Sequence, residues 1–157
     1  MVREWIEKFA AGAEEPAAWI AGLTPVELRA RPVPGAWSMQ QLAQHMLDSE
    51  MMAAGRMQRI IAEDAPLILA YDETRFAERL GYEDDDAELA ARAFALVRRR
   101  SAALLARQPE SAFARHAIHS EAGKLTLLDV LKLYADHVPH HARFAMEKRK
   151  ALGKASR

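Results

Sequence analysis

Apolar residues recur at three- and four-residue intervals along four long stretches of this chain, separated by segments rich in proline, glycine and charge. That spacing predicts helices with one inward stripe each. The first stretch carries Ile6, Phe9, Ala13, Ala17 and Ile20 on its stripe, with Trp5 and Trp19 beside it. Pro16 lies within it, where a proline loses a hydrogen bond and clashes with the preceding turn, so a kink or two successive helices are expected. Thr24-Pro25-Val26-Glu27 reads as a hydroxyl cap, a proline at the first helical position and a capping-box glutamate, opening a short helical turn. Arg31-Pro32-Val33-Pro34-Gly35 cannot continue it.

Ser38 with Gln41 three residues later opens the second long helix, which runs to about Glu63. Its stripe is Leu42, His45, Met46, Ser49, Met52, Ala53 and Ile60, with Gln40, Gln44, Asp48 and Gln58 placed elsewhere and Arg56 leaning inward toward a carboxylate. The segment from Asp64 to Asp72 breaks this helix, and Asp72 to Arg79 forms a short turn. Acidic residues Glu83 to Asp86 precede the third helix, and Arg98-Arg99-Arg100 and Arg107 lie toward its end. That polarity complements a helix dipole, so both charge runs read as parts of a solvated helix. Leu89, Ala93, Leu96, Val97 and Leu104 are expected on its inner face, and Pro109 ends it. The stretch from Ala114 to Leu125 reads as a turn or small hairpin. Thr126 with Asp129 then caps the last helix, which reaches the basic tail Lys148-Arg149-Lys150. Its stripe is Leu127, Val130, Leu131, Tyr134, His137, Val138, His141 and Ala145. The expectation is an all-α four-helix bundle, one domain over residues 1–157, with a short hairpin-like loop before the last helix.

Half of the residues are apolar, enough for one buried core in 157 residues. The 22 basic and 22 acidic residues cancel, so no nucleic-acid or anionic-membrane footprint is expected. Charges interrupt every apolar stretch, and the N-terminus lacks the apolar run of a signal peptide; the expected location is the cytoplasm. There is no cysteine, so a metal would be held by histidine, carboxylate or water.

Three inward histidines change the picture. His137 and His141 stand one turn apart on the last helix, and His45 faces inward on the second. Burying the pair requires partners for four ring nitrogens, whereas a lone core histidine such as His45 can equally be a hydrogen-bonded packing residue. If the two helices are neighbours, the three imidazoles can converge on one divalent ion and leave a position open, as catalytic sites do. Imidazole alone does not choose among zinc, nickel and iron. His140, His116 and His119 read as surface or supporting residues, Tyr134 and the methionines as core. Asp48, Glu50 and Asp136 are candidates to orient the imidazoles. Pro139 sits between His137 and His141 and deletes the backbone bond to the Ala135 carbonyl.

The ordered set Gly35-Ala36-Trp37-Ser38, Gln44-His45-Met46-Leu47-Asp48-Ser49-Glu50, Tyr71-Asp72-Glu73, His119-Ser120-Glu121-Ala122-Gly123 and Leu133-Tyr134-Ala135-Asp136-His137 with His140-His141 resembles the DinB/YfiT-like family. The resemblance runs from about Leu23 to Met146 and departs from the family pattern at Pro139 and Ala122. It implies a four-helix bundle, often a homodimer, with a divalent metal on His45, His137 and His141. It further implies a metal-dependent enzyme acting on a small molecule, either a thiol S-transferase using a low-molecular-weight thiol or a hydrolase. The alternative is a non-catalytic metal-binding or stress-associated interaction bundle.

Overall fold

Most helices start on side-chain caps that the sequence announces. In the computed structural model, which describes residues 1–155, Thr24, Ser38 and Thr126 each form a capping box with the residue three positions on. The resulting helices are α3 (Pro25–Arg29), α4 (Met39–Ala62) and α7 (Leu127–Ala151). Asp86 accepts a hydrogen bond from the Leu89 amide and opens α6 (Ala87–Ala106); Asp72 does the same from Arg75 for α5 (Glu73–Arg79). Each satisfied amide is one of the orphan donors of a first turn.

The first arm of the bundle is two helices, α1 (Val2–Ala11) and α2 (Glu15–Ile20), joined by a single 3₁₀ turn. Pro16 falls in the first turn of α2, where its missing N–H costs nothing. Gly12 occupies the joint for a second reason. A Cβ there would lie 2.9 Å from an Arg98 guanidinium nitrogen and 3.2 Å from Val138. The close approach of three segments therefore crowds any side chain at this position.

α4 packs against α6 and α7, and α1 packs against the same two helices, which makes the four-helix bundle. One core cluster joins Phe9, Met57, Ile60, Leu105, Phe113, Leu127, Leu131 and Tyr134; a second joins Trp19, Met39, Met46, Phe94 and Val138. The expected inner face of α6 is corrected here. Leu89 and Leu96 are exposed, and the buried face is Ala87, Ala90, Ala91, Phe94, Ala95, Arg98, Ser101, Ala102 and Leu105. Small alanines let α4 approach α6 closely, and the leucines on the opposite side have no helix to meet. Gln40 and Gln44 are likewise buried in α4, and Met51, expected in the core, is exposed.

The loop before α7 is a hairpin, β2 (His116–His119) against β3 (Gly123–Thr126), paired His116 with Thr126 through His119 with Gly123. His119 Nδ1 accepts from the Glu121 and Ala122 amides and closes the turn, with Gly123 at positive φ. A third strand not foreseen, β1 (Leu67–Ile68), pairs parallel to β2. Arg115 ties this sheet to the bundle by donating to the Ile60 and Glu63 carbonyls at the end of α4. Among the described residues, no helix is long and apolar enough to cross a membrane.

Candidate metal centre

His45 lies one turn and a half into α4, and His137 and His141 project from the middle of α7 toward it. Their three Nε2 atoms form a small triangle: 3.3 Å between His45 and His137, 3.1 Å between His45 and His141, and 3.1 Å between His137 and His141. His45 is buried and the other two are half-buried, so the triangle opens on one side. Trp37, just before the α4 cap, stacks at a tilt on His45 with ring centroids 5.1 Å apart. Tyr134, one turn before His137, meets it edge-on at 6.0 Å. Pro139 is accommodated inside α7, which continues unbroken on both sides of it.

The donor set can be tested for its fit to a cation from hydrogen-bond chemistry alone. A neutral imidazole nitrogen is either a donor or an acceptor. With three such nitrogens in mutual contact, at least two must be of the same kind, so the triangle cannot satisfy itself by hydrogen bonds. Three lone pairs directed at one cation have no such conflict. Ligand nitrogens about 2.0–2.1 Å from a zinc-like ion stand roughly 3 to 3.4 Å apart for angles between 90° and tetrahedral, which matches the observed separations. The residues fit one divalent ion.

Electrostatics points the same way. Burial lowers the pKa of His45 to about 4. Burial first, then the neighbouring His141 and His45, lowers His137 to about 2, and burial followed by His45 and His140 lowers His141 to about 3. All three imidazoles are neutral near pH 7, the form that ligates a metal.

The carboxylates expected to orient them do other work. Asp48 accepts from the Tyr82 hydroxyl, Asp136 pairs with Lys8 at the surface, and Glu50 pairs with Arg98. The buried Nδ1 of His141 has no hydrogen-bond partner among the described residues. His140 points outward, as expected, and contacts Arg143. Arg56 was expected to meet a carboxylate; it donates instead to the Tyr134 hydroxyl at 2.7 Å and to the Leu69 carbonyl.

One polar feature behind the triangle escaped the sequence reading altogether. Arg98 is fully buried, 2.7 Å from the Glu50 carboxylate, between the rings of Phe9 and Phe94 and donating to the Tyr134 and Phe9 carbonyls. Burial raises the Glu50 carboxyl against the opposing pull of Arg98. The signal was present: Arg98 continues the Ala91, Phe94, Ala95 stripe at helical spacing, but it was masked by the two exposed arginines that follow it, Arg99 and Arg100.

Comparison with known proteins agrees with this architecture. A Bacillus licheniformis protein is 29% identical over 120 residues, covering 76% of this chain and 68% of its own. A Geobacillus thermodenitrificans protein is 29% identical over 97% of this chain and 86% of its own. YfiT of Bacillus subtilis is 28% identical over 76% of this chain and 67% of its own; all three carry provisional names as metal-dependent hydrolases. The solved structure of YfiT, described as a probable metal-dependent hydrolase with an unusual four-helix bundle topology, superposes with a TM-score of 0.90 over 98% of this chain and 89% of that one at 24% identity. That likeness fixes the fold. The family model described as the DinB superfamily matches residues 9–145, and the chain belongs to that superfamily.

Proposed function

We propose that His45, His137 and His141 hold one divalent metal ion, zinc, nickel or iron, in a small-molecule enzyme whose nucleophile is a low-molecular-weight thiol or a water. The observation that carries this reading is the triangle of neutral Nε2 atoms, which cannot all be satisfied by hydrogen bonds to one another and which a shared cation would satisfy. The provisional names of the relatives, metal-dependent hydrolases, support the metal. A divalent ion bound by three imidazoles supplies positive charge at an open position, which deprotonates a thiol or brings a water's pKa to about neutral.

The same three ligands serve a thiol or a water, and the thiol reading rests on the family resemblance. The carboxylates nearest the histidines in sequence, Asp48, Glu50 and Asp136, are committed to Tyr82, Arg98 and Lys8, whereas Glu73, whose carboxyl pKa burial raises, lies within electrostatic reach of Tyr71, Tyr134 and His140 with no ion pair among the described residues. Burial of His45 and the Trp37 ring over it exclude water from one side of the triangle, and α7 presents His137 and His141 in a fixed register.

Elemental analysis of purified protein is the direct test: about one metal ion per chain in the wild type and close to none in His137→Ala. An unchanged content in the variant, or none in the parent, rejects the site. Separately, the metal-loaded protein is expected to accelerate the reaction of monochlorobimane with a small thiol relative to the triple-histidine variant, and equal rates argue for a binding protein.

A further inference from the structure

Beside the histidine triangle lies a set of polar groups that the metal reading does not use. Arg56 is half-buried, and among the described residues no carboxylate stands within ion-pair distance of it. Its two hydrogen bonds go to neutral oxygens, the Tyr134 hydroxyl at 2.7 Å and the Leu69 carbonyl, which leaves further N–H groups of the guanidinium uncommitted. Because the Tyr134 oxygen accepts from Arg56, its own O–H remains free to donate, and no acceptor for it is found among the described residues. The buried Tyr71 hydroxyl also has no partner; Ser49 lies beside it without reaching hydrogen-bond geometry. Burial raises the pKa of Tyr71 to about 12, so its phenol stays a protonated donor. Tyr71 is held over the Arg56 side chain, 6.0 Å from ring centroid to guanidinium carbon.

The cluster is therefore a cation and two hydroxyls with donors to spare; Glu73 lies within electrostatic reach of both phenols, and among the described residues no carboxylate pairs with Arg56. Its position relates it to the triangle. Tyr134 precedes His137 by three residues on α7, about 4.5 Å along the axis, and touches its ring. Ser49 and Arg56 continue the face of α4 that carries His45.

We infer that Arg56, Tyr134 and Tyr71 form a carboxylate-recognition subsite, so that the small molecule reaching the three histidines carries a carboxylate a few bonds from its reacting end. A carboxylate suits the geometry because its two planar oxygens match the guanidinium fork and leave lone pairs for the two hydroxyls. This rests on the proposed metal site only for where the other end of the molecule goes.

The experiment uses the full chain loaded with cobalt(II), whose visible bands report thiol binding, and compares mercaptopropionate with neutral mercaptopropanol. Wild type is expected to bind mercaptopropionate about tenfold more tightly. In Arg56→Gln the preference falls to about twofold or less, with mercaptopropanol affinity and cobalt content unchanged. Tyr71→Phe, which leaves the Arg56 contacts in place, weakens mercaptopropionate alone by about threefold. Equal affinities in the wild type, or a tenfold preference that survives Arg56→Gln, overturns the subsite. A second arm titrates butyrate into metal-free protein and follows the Arg56 side-chain N–H resonance: a saturable shift supports the subsite, and no shift overturns it. Should cobalt fail to bind at all, the metal site is rejected while the butyrate arm alone decides the carboxylate subsite.

Discussion

Two buried polar clusters lie on neighbouring layers of this bundle, and they are built on opposite plans. Arg98 and Glu50 answer each other: a cation and an anion at 2.7 Å, with two backbone carbonyls and two aromatic faces taking most of what is left of the guanidinium. The three histidines cannot answer each other, because three neutral nitrogens in contact include at least two of one kind. The first cluster is neutralised within the chain, with only Glu50 Oε1 left without a hydrogen-bond partner among the described residues, and it belongs to the architecture. The second is incomplete within the protein and calls for a ligand. Burial alone therefore does not separate a structural polar group from a functional one; whether the chain itself supplies the complement does.

The sharpest way to break this contrast is to remove half of the closed pair. Arg98→Ala leaves the Glu50 carboxylate buried without its partner and is expected to cost about 3–5 kcal/mol in urea denaturation. The double variant Arg98→Met, Glu50→Leu should cost less than Arg98→Ala, since the uncompensated charge goes with it. A double variant no better than the single would mean that Arg98 acts mainly through its carbonyl bonds.

Metal should act on the open cluster alone. At about a hundred times its dissociation constant, a divalent ion should stabilise the wild type by about 2.7 kcal/mol. It should leave His137→Ala unmoved, while Arg98→Met, Glu50→Leu keeps the response. A response in His137→Ala would show that the ion binds elsewhere.

Acid should also find the histidines. Their folded pKa values, about 4, 2 and 3, lie below the roughly 6.5 of an unfolded imidazole, so the unfolded chain binds more protons as pH falls through 6.5. The metal-free protein thus has its full histidine contribution above about pH 6.5 and loses it progressively below. Lowering the pH from about 7 to 6 should remove about 2 kcal/mol in total, and replacing all three histidines by asparagine should flatten that slope. A wild-type slope that persists in the triple variant would assign the effect to other groups.

The smallest expected effect probes how tightly the closed pair is held. Gly12→Ala places a methyl against the Arg98 guanidinium and Val138. A net loss of about 1 kcal/mol is expected, the crowding exceeding the entropy gained by replacing glycine. A gain in stability would show that Arg98 can shift at no cost.

Much of the bundle was legible because helix caps and stripes are local. Ser38 with Gln41, Thr126 with Asp129 and Thr24 with Glu27 set helix starts within a few residues of chain, and the α4 and α7 stripes put His45, His137 and His141 inward. The face of α6 was misread because leucine is ordinarily the better guide to a core than alanine. Here the neighbouring helix comes so close that only small residues fit, and that is a property of the pair of helices. The same reason hid Arg98: a buried arginine is recognisable only once Glu50, 48 residues away in sequence, is seen to face it. It also explains why Asp48 and Asp136 turned away from the imidazoles, since Tyr82 and Lys8 reach them first.

By itself, then, the amino-acid sequence determined the helical class, the helix starts, the hairpin before α7 and the inward placement of three histidines, all consequences of periodicity and capping within single elements. Only the tertiary structure decided that the three Nε2 atoms meet at 3.1–3.3 Å, that Pro139 leaves α7 intact, that Arg98 and Glu50 neutralise each other, and that Arg56 lies beside two tyrosines with no carboxylate paired to it among the described residues. Each of those depends on distances between segments remote in the chain, which side-chain spacing along one helix does not encode.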